Sequence, residues 1–208
     1  MDNKILIAVP TVGQVEIEYV NSILRLSRTT NADIVHSAGS LVYAARNNFV
    51  KQALDEGYTH LMFIDSDMVF NADALNVLLY HDKDIISGSI FSRVPPYKAC
   101  FYEKLRLGEP HEVICKSVKV LQDGVQEVEG VGTAFLLIRV EVLRDIIEKY
   151  NVYPFQPLYS YGEDLSFCIR ARQCGYKVFV DNDLIIGHIG KVIVTRSAYE
   201  LQEELGGE

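Results

Sequence analysis

Apolar residues in this chain come as short unbroken runs, alternating with longer stretches in which they recur every three or four positions. The first run, Ile5-Leu6-Ile7-Ala8-Val9, predicts a strand that Pro10 should end, since proline has no N–H to give a central ladder. Residues 15–29 carry Ile17, Val20, Ile23, Leu24 and Ser27 at helical spacing and predict an amphipathic helix. A short strand is expected at 33–37. A helix then spans 41–56 through Val42, Ala45, Phe49, Val50 and Ala53, with Gly57 as its C-cap. Leu61-Met62-Phe63-Ile64 predicts a strand buried on both faces, as central strands of parallel sheets are. Asn71 offers an N-cap to a helix over 72–80, and 84–87 resumes as strand. The order β-α-β-α-β-α-β belongs to an α/β fold, a Rossmann-like and mostly parallel sheet flanked by helices.

The pattern then changes. Residues 89–98 contain Pro95-Pro96 and predict a loop. From 99 to 128 polar and apolar residues alternate, and Asp123-Gly124 between 118–120 and 125–128 predicts a β-hairpin insertion. A small-residue segment at 130–134 leads to a buried strand at 135–138, a helix at 140–150 and an aromatic loop at 153–161. Gly162-Glu163-Asp164 opens a helix whose apolar face is Leu165, Cys168, Ile169 and the stem of Arg172, and Gly175 closes it. Two further strands are expected at 178–180 and 184–188, the second ending in His188, and a short acidic helix at 199–208. The C-terminal part is therefore mixed.

Composition narrows the field. At 208 residues and 49% apolar, the chain has enough material for one folded domain. Its net charge of −8 argues against a binder of nucleic-acid backbone and makes anionic membranes a poor partner. Phosphorylated substrates stay compatible if a bound cation supplies positive charge locally. The start leads straight into a strand, with no signal peptide expected, and no apolar run approaches the ~18 residues of a membrane span. Cys100, Cys115, Cys168 and Cys174 lack Cys-x-x-Cys spacing, which predicts reduced thiols in a cytoplasmic protein.

Candidate chemistry begins where the third strand runs into Asp65-Ser66-Asp67. Ligands of open α/β sheets collect beyond the carboxyl ends of the strands, and residues two apart in an extended segment project to the same side. Paired carboxylates suit a hard divalent cation; a polar turn capping the strand would carry the same residues. Glu163 and Asp164 open a later helix, where acids are also favourable simply through the helix dipole. His188, at a strand end, fits a structural hydrogen bond as well as a metal. Taken together, the three places can converge on one metal–phosphate cleft, and imidazole with carboxylate suits Mn²⁺ better than Ca²⁺.

The order of these features resembles a GT-A fold glycosyltransferase of the family-2-like, metal-dependent, Asp-x-Asp type. The residues that carry the resemblance are Asp65-Ser66-Asp67 behind Leu-Met-Phe-Ile, Ala45-Arg46-Asn47 on the preceding helix, the segment 130–134 before a strand ending in Arg139, Gly162-Glu163-Asp164, and Gly187-His188. The resemblance spans residues 5 to about 188 and implies one domain over 1–208, with a nucleotide-binding half at 1–98 and an acceptor-side half at 99–208. It implies that Asp65 and Asp67 orient Mn²⁺ or Mg²⁺ on the diphosphate of a nucleotide-sugar donor. Asp67 would be the direct ligand, Asp65 would lie nearer the ribose and the metal shell, and His188 would complete the metal site. Pro10, Thr11 and Gly13 would receive the nucleotide, and Arg46 would approach the base, ribose or diphosphate. Glu163 and Asp164 would bind the acceptor hydroxyl, with Asp164 the general base of an inverting reaction. A helix-start carboxylate stays ionised at neutral pH and makes only a modest base.

The chain departs from the family where consecutive acids after the second strand usually read the base; here it has Val35-His36-Ser37-Ala38-Gly39, which leaves the base open. Without tryptophan it also lacks the Gln/Arg-x-x-Arg-Trp signature of processive synthases, which points to single additions. The part after Asp164 is short, so the acceptor site is small or completed by a partner subunit; a sugar, a lipid-linked group or a protein would serve as acceptor. Phe91, Tyr97, Tyr159 and Tyr161 would stack on sugar faces or simply pack. Two alternatives stay open. A sugar-phosphate nucleotidyltransferase would want a glycine-rich basic loop after the first strand, which Thr11-Val12-Gly13-Gln14 does not provide, and a non-catalytic nucleotide- or sugar-binding module could share the fold.

Overall fold

The computed structural model describes residues 3–39, 41–109 and 112–191; the acidic helix expected at 199–208 lies outside them. The chain runs β1 (Ile5–Thr11), α1 (Ile17–Leu26), β2 (Asp33–Ala38), α2 (Val42–Asp55), β3 (His60–Ile64), β4 (Met68–Phe70), α3 (Ala74–Tyr80) and β5 (Ile85–Ser89). It continues with β6 (Phe101–Leu107), β7 (Val113–Ser117), β8 (Val125–Val128), β9 (Gly130–Val131), β10 (Phe135–Arg139), α4 (Val140–Tyr150), α5 (Glu163–Gln173) and β11 (Val178–His188). The main sheet has the order β2-β1-β3-β10-β5-β11-β4, with β8 added to β11, and β7-β6-β9 form a smaller second sheet.

Strand alternation divides the core into two layers. Leu6, Ala8, Leu61 and Phe63 face α2, α4 and α5, whereas Ile5, Ile7, Val9, Met62 and Ile64 face α1 and α3. Each layer is closed to solvent, so every residue of β1 except the last is buried, and β3 is buried after its first residue. Covered on both faces, the sheet is the α/β arrangement expected, with antiparallel members: β10 runs against both β3 and β5.

Several elements differ from expectation. Pro10 does not end β1, which pairs on to β2 through Pro10–Ser37 and Thr11–Ala38. The ladder to β3 has already stopped at Ala8–Phe63, so the missing N–H leaves no gap on that side. The Asp123-Gly124 turn does not join a hairpin. Residues 118–120 are not strand; β8 pairs with Val178–Asp181 of β11, and the hairpin is β6 with β7. The two expected C-terminal strands are one, β11, whose register shifts between Asp181 and Ile185. Asn71 is not the N-cap of α3, which starts after Asp73. The four cysteines are unpaired, and among the described residues no helix is long and apolar enough to cross a membrane.

At Gly88 the β5–β11 pair leaves no room for a side chain. A Cβ built on Gly88 would stand 2.6 Å from Cγ1 of buried Ile186. Gly88→Ala should therefore cost about 1–3 kcal/mol, read as a lower denaturation midpoint.

Candidate functional site

Three-residue β4 decides the layout of the site. It pairs antiparallel with the end of β11, setting His188 opposite Met68. The N–H of Ile189 also donates to the carbonyl of Asp67 at 2.9 Å. His188 Nδ1 lies 2.8 Å from the carbonyl oxygen of Phe91; a carbonyl only accepts, so Nδ1 carries the proton. That turns Nε2 toward Asp67 Oδ2 at 3.4 Å. Hydrogen bonding to Asp67 raises the proton affinity of His188 against the opposing effect of burial. Burial pushes Asp67 up, but His188 and the nearby Arg93 outweigh it and hold the carboxyl below its usual range.

This pair fits a divalent cation. A ring whose other N–H donates to a backbone carbonyl is the outer-shell arrangement usual for a metal-binding histidine, and the carboxylate facing its free nitrogen would be a second donor. Asp65 points elsewhere. Among the described residues, no three His, Cys, Asp or Glu side chains cluster as a complete metal cage would require.

Asp65 belongs to a second group, built on Arg46 of α2. Arg46 Nη2 donates to Asp65 Oδ1 at 3.0 Å, and its Nε lies 3.5 Å from Glu163 Oε1. The guanidinium packs over the Phe63 ring at 5.1 Å, and the side chain is 3% exposed. Its Nε and Nη1 find no hydrogen-bond acceptor among the described residues. Arg46 thus bridges the acid at the end of β3 to the acid at the start of α5. Asp164 is next to Glu163 and accepts the N–H of Leu165 at 2.7 Å.

The electrostatics of Asp164 differ from expectation. Burial, aided by the charge of Glu163, raises its pKa above the usual carboxylate value, against the lowering pull of Leu165 N–H and Arg46. Desolvation outweighs the helix start, making it a stronger base than an exposed helix-cap acid. Tyr102 is pushed up to about 12 by burial and by Asp164, so it is a neutral phenol beside the carboxylate.

A cleft of about 330 Å³ opens on the Asp65–Asp67 side, lined by Pro10, Thr11, Val12, Val42 and Arg93 as well as the acids. Gly13 lies in the turn behind it with φ +95, its N–H donating to Thr11 Oγ1 at 3.2 Å. A depression of about 370 Å³ at the other end of the strands gathers His60, Asp82 and Arg139, away from the acids. Of the four aromatics, Tyr161 is buried with its hydroxyl donating to the carbonyl of Arg106, and Phe91 packs edge-on to Phe101. Tyr97 and Tyr159 stay exposed. Arg93 is the site residue that sequence reasoning missed: it forms an ion pair with Asp67 from inside the 89–98 loop.

Compared by sequence, the chain matches no family model and no curated protein. Among solved structures it is similar to A197 from STIV, at 19% identity over 90% of this chain and 86% of that one, with a TM-score of 0.62. It is also similar to S. aureus TarS 1-349, at 15% identity over 86% of this chain and 57% of that one, TM-score 0.49. A third is the 4-diphosphocytidyl-2C-methyl-D-erythritol synthase of Anaerococcus prevotii, at 11% identity over 98% of both chains, TM-score 0.49. The likeness to A197 is one of fold, and nothing about activity is carried over from any of the three.

Removing the bridge would leave two partly buried carboxylates facing each other. Arg46→Ala should cost about 3 kcal/mol or more in chemical denaturation. Arg46→Lys should recover little of it, because one ammonium cannot serve both acids from a planar fork.

Proposed function

We propose that this chain is a metal-dependent glycosyltransferase, moving a sugar from a nucleoside diphosphate to an acceptor hydroxyl. The observation that carries the reading is the meeting of Asp67 with His188, 121 positions apart by numbering, beside a second acid group linked to it through Asp65 and Arg46. A pair of metal donors together with a desolvated carboxylate is what transfer from a diphosphate leaving group needs.

In this reading the nucleotide lies in the cleft of Pro10 and Thr11, with Gly13 shaping the turn and Asp65 on the ribose side. Asp67 and His188 hold Mn²⁺ or Mg²⁺, and the substrate phosphates supply remaining ligands, as is usual for such ions on nucleotides. The ion supplies Lewis-acid neutralisation of charge developing on the leaving diphosphate. Arg46 positions Asp65 and Glu163. Glu163 orients the acceptor. For an inverting displacement, the acceptor oxygen attacks the anomeric carbon as the bond to the diphosphate breaks, and its proton passes to Asp164. Burial of Asp164 strengthens it for that step.

Mn²⁺ should raise the affinity for a nucleoside diphosphate about tenfold or more in calorimetry. Asp67→Ala should erase that gain, and equal binding in chelator would sink the metal assignment. Asp164→Asn should lower transfer by about 10²- to 10⁴-fold while leaving donor affinity intact. Because folding raises the Asp164 pKa, its ionised form at neutral pH weighs against the native state. The Asn variant should therefore melt no lower than wild type. The rate of transfer should fall with falling pH through that raised pKa, sooner than an ordinary carboxylate would dictate.

A further inference from the structure

Arg93 stands between two openings. It lines the cleft of about 330 Å³ with Asp65 and Asp67, and a depression of about 360 Å³ that holds His188, Tyr97 and Ile186. Its guanidinium donates to Asp67 Oδ2, the same oxygen that faces His188 Nε2. The loop backbone that carries it is tied down, with Ser92 N–H on the carbonyl of Lys98 at 2.8 Å and Tyr97 N–H on the carbonyl of Val94 at 3.0 Å. The side chain itself is 54% exposed. An exposed side chain on a fixed loop can leave the carboxylate by rotation about its own bonds, and Arg93 already borders both openings.

The oxygen in question cannot serve a guanidinium and a divalent cation together without crowding two positive charges. A diphosphate entering the cleft brings several negative oxygens, and a planar fork of N–H donors matches them in geometry as well as charge. We propose that Arg93 is the exchangeable counter-ion of Asp67: it holds the carboxylate in the free protein and moves to the diphosphate when cation and nucleotide arrive. This rests on reading Asp67 and His188 as the cation's ligands. The consequence is order. Cation alone must displace Arg93 with nothing to receive it, whereas cation and diphosphate together provide both a new partner for Asp67 and a new partner for Arg93. Each ligand therefore strengthens the other through one side chain.

The experiment measures Mn²⁺ alone, UDP or GDP alone, and each nucleotide with Mn²⁺, by calorimetry on wild type, Arg93→Ala and Arg93→Lys, with a thermal melt of each. Arg93→Ala should melt like wild type, bind Mn²⁺ alone about fivefold tighter, and bind nucleotide with Mn²⁺ more weakly. The mutual strengthening of the two ligands should shrink accordingly, and Arg93→Lys should lie between. Mn²⁺ affinity unchanged or weakened in Arg93→Ala overturns the exchange, even where wild type keeps Mn²⁺-dependent nucleotide binding and the transferase reading stands. Tighter Mn²⁺ with undiminished nucleotide binding overturns it too, since Arg93 would then have no second partner. Wild type without any Mn²⁺-dependent nucleotide binding removes both proposals.

Discussion

Asp65 and Asp67 stand where they do because the strand before them has no face left for water. Leu61, Met62, Phe63 and Ile64 are fully buried, two toward each helical layer. The first polar residues after them mark the rim of the sheet. Charged groups there are partly hydrated, yet one wall of their surroundings is the apolar core, so opposite charges in the neighbourhood count for more than they would on an open surface. The rest of the site consists of responses to that placement: a guanidinium from α2, a histidine from β11 and an arginine from the loop after β5.

Arg46 is the response that reaches farthest. It lies against Phe63, in the same layer as the core, and connects the end of β3 to the start of α5. Its charge eases the crowding of Glu163 and Asp164 without neutralising them, and Asp164 is left as the poorly solvated member. A carboxylate in that condition is costly to the native state and useful to chemistry, which is how functional sites commonly differ from the scaffold around them.

The layers of the fold were legible in the chain because unbroken apolar runs at 5–9, 61–64 and 135–138 leave little choice but burial on both sides. The helices between them showed their periodicity. Elements without a period of their own did not show. Met68-Val69-Phe70 is too short to display alternation, and it became a strand only because β11 arrived beside it. The Asp-Gly signal located a turn at Gly124, but a turn does not name its partner strands, and β11 offered β8 the better edge. On the site, the spacing of acids and histidine could suggest convergence. It could not show that Arg46 is buried, since an arginine in an amphipathic helix ordinarily faces water. Nor did any local pattern mark Arg93, whose partner lies on another element and whose importance comes from contact alone.

The β4–β11 ladder has only three residue pairs, at the outer edge of an eight-stranded sheet. The acid group around Arg46 is held by α2, β3 and α5 in the interior. The two halves of the site thus rest on foundations of unequal strength. Fraying of the edge would part His188 from Asp67 while Asp164, Glu163 and Arg46 kept their places, so native-state hydrogen exchange would register two separate opening energies, one for each half.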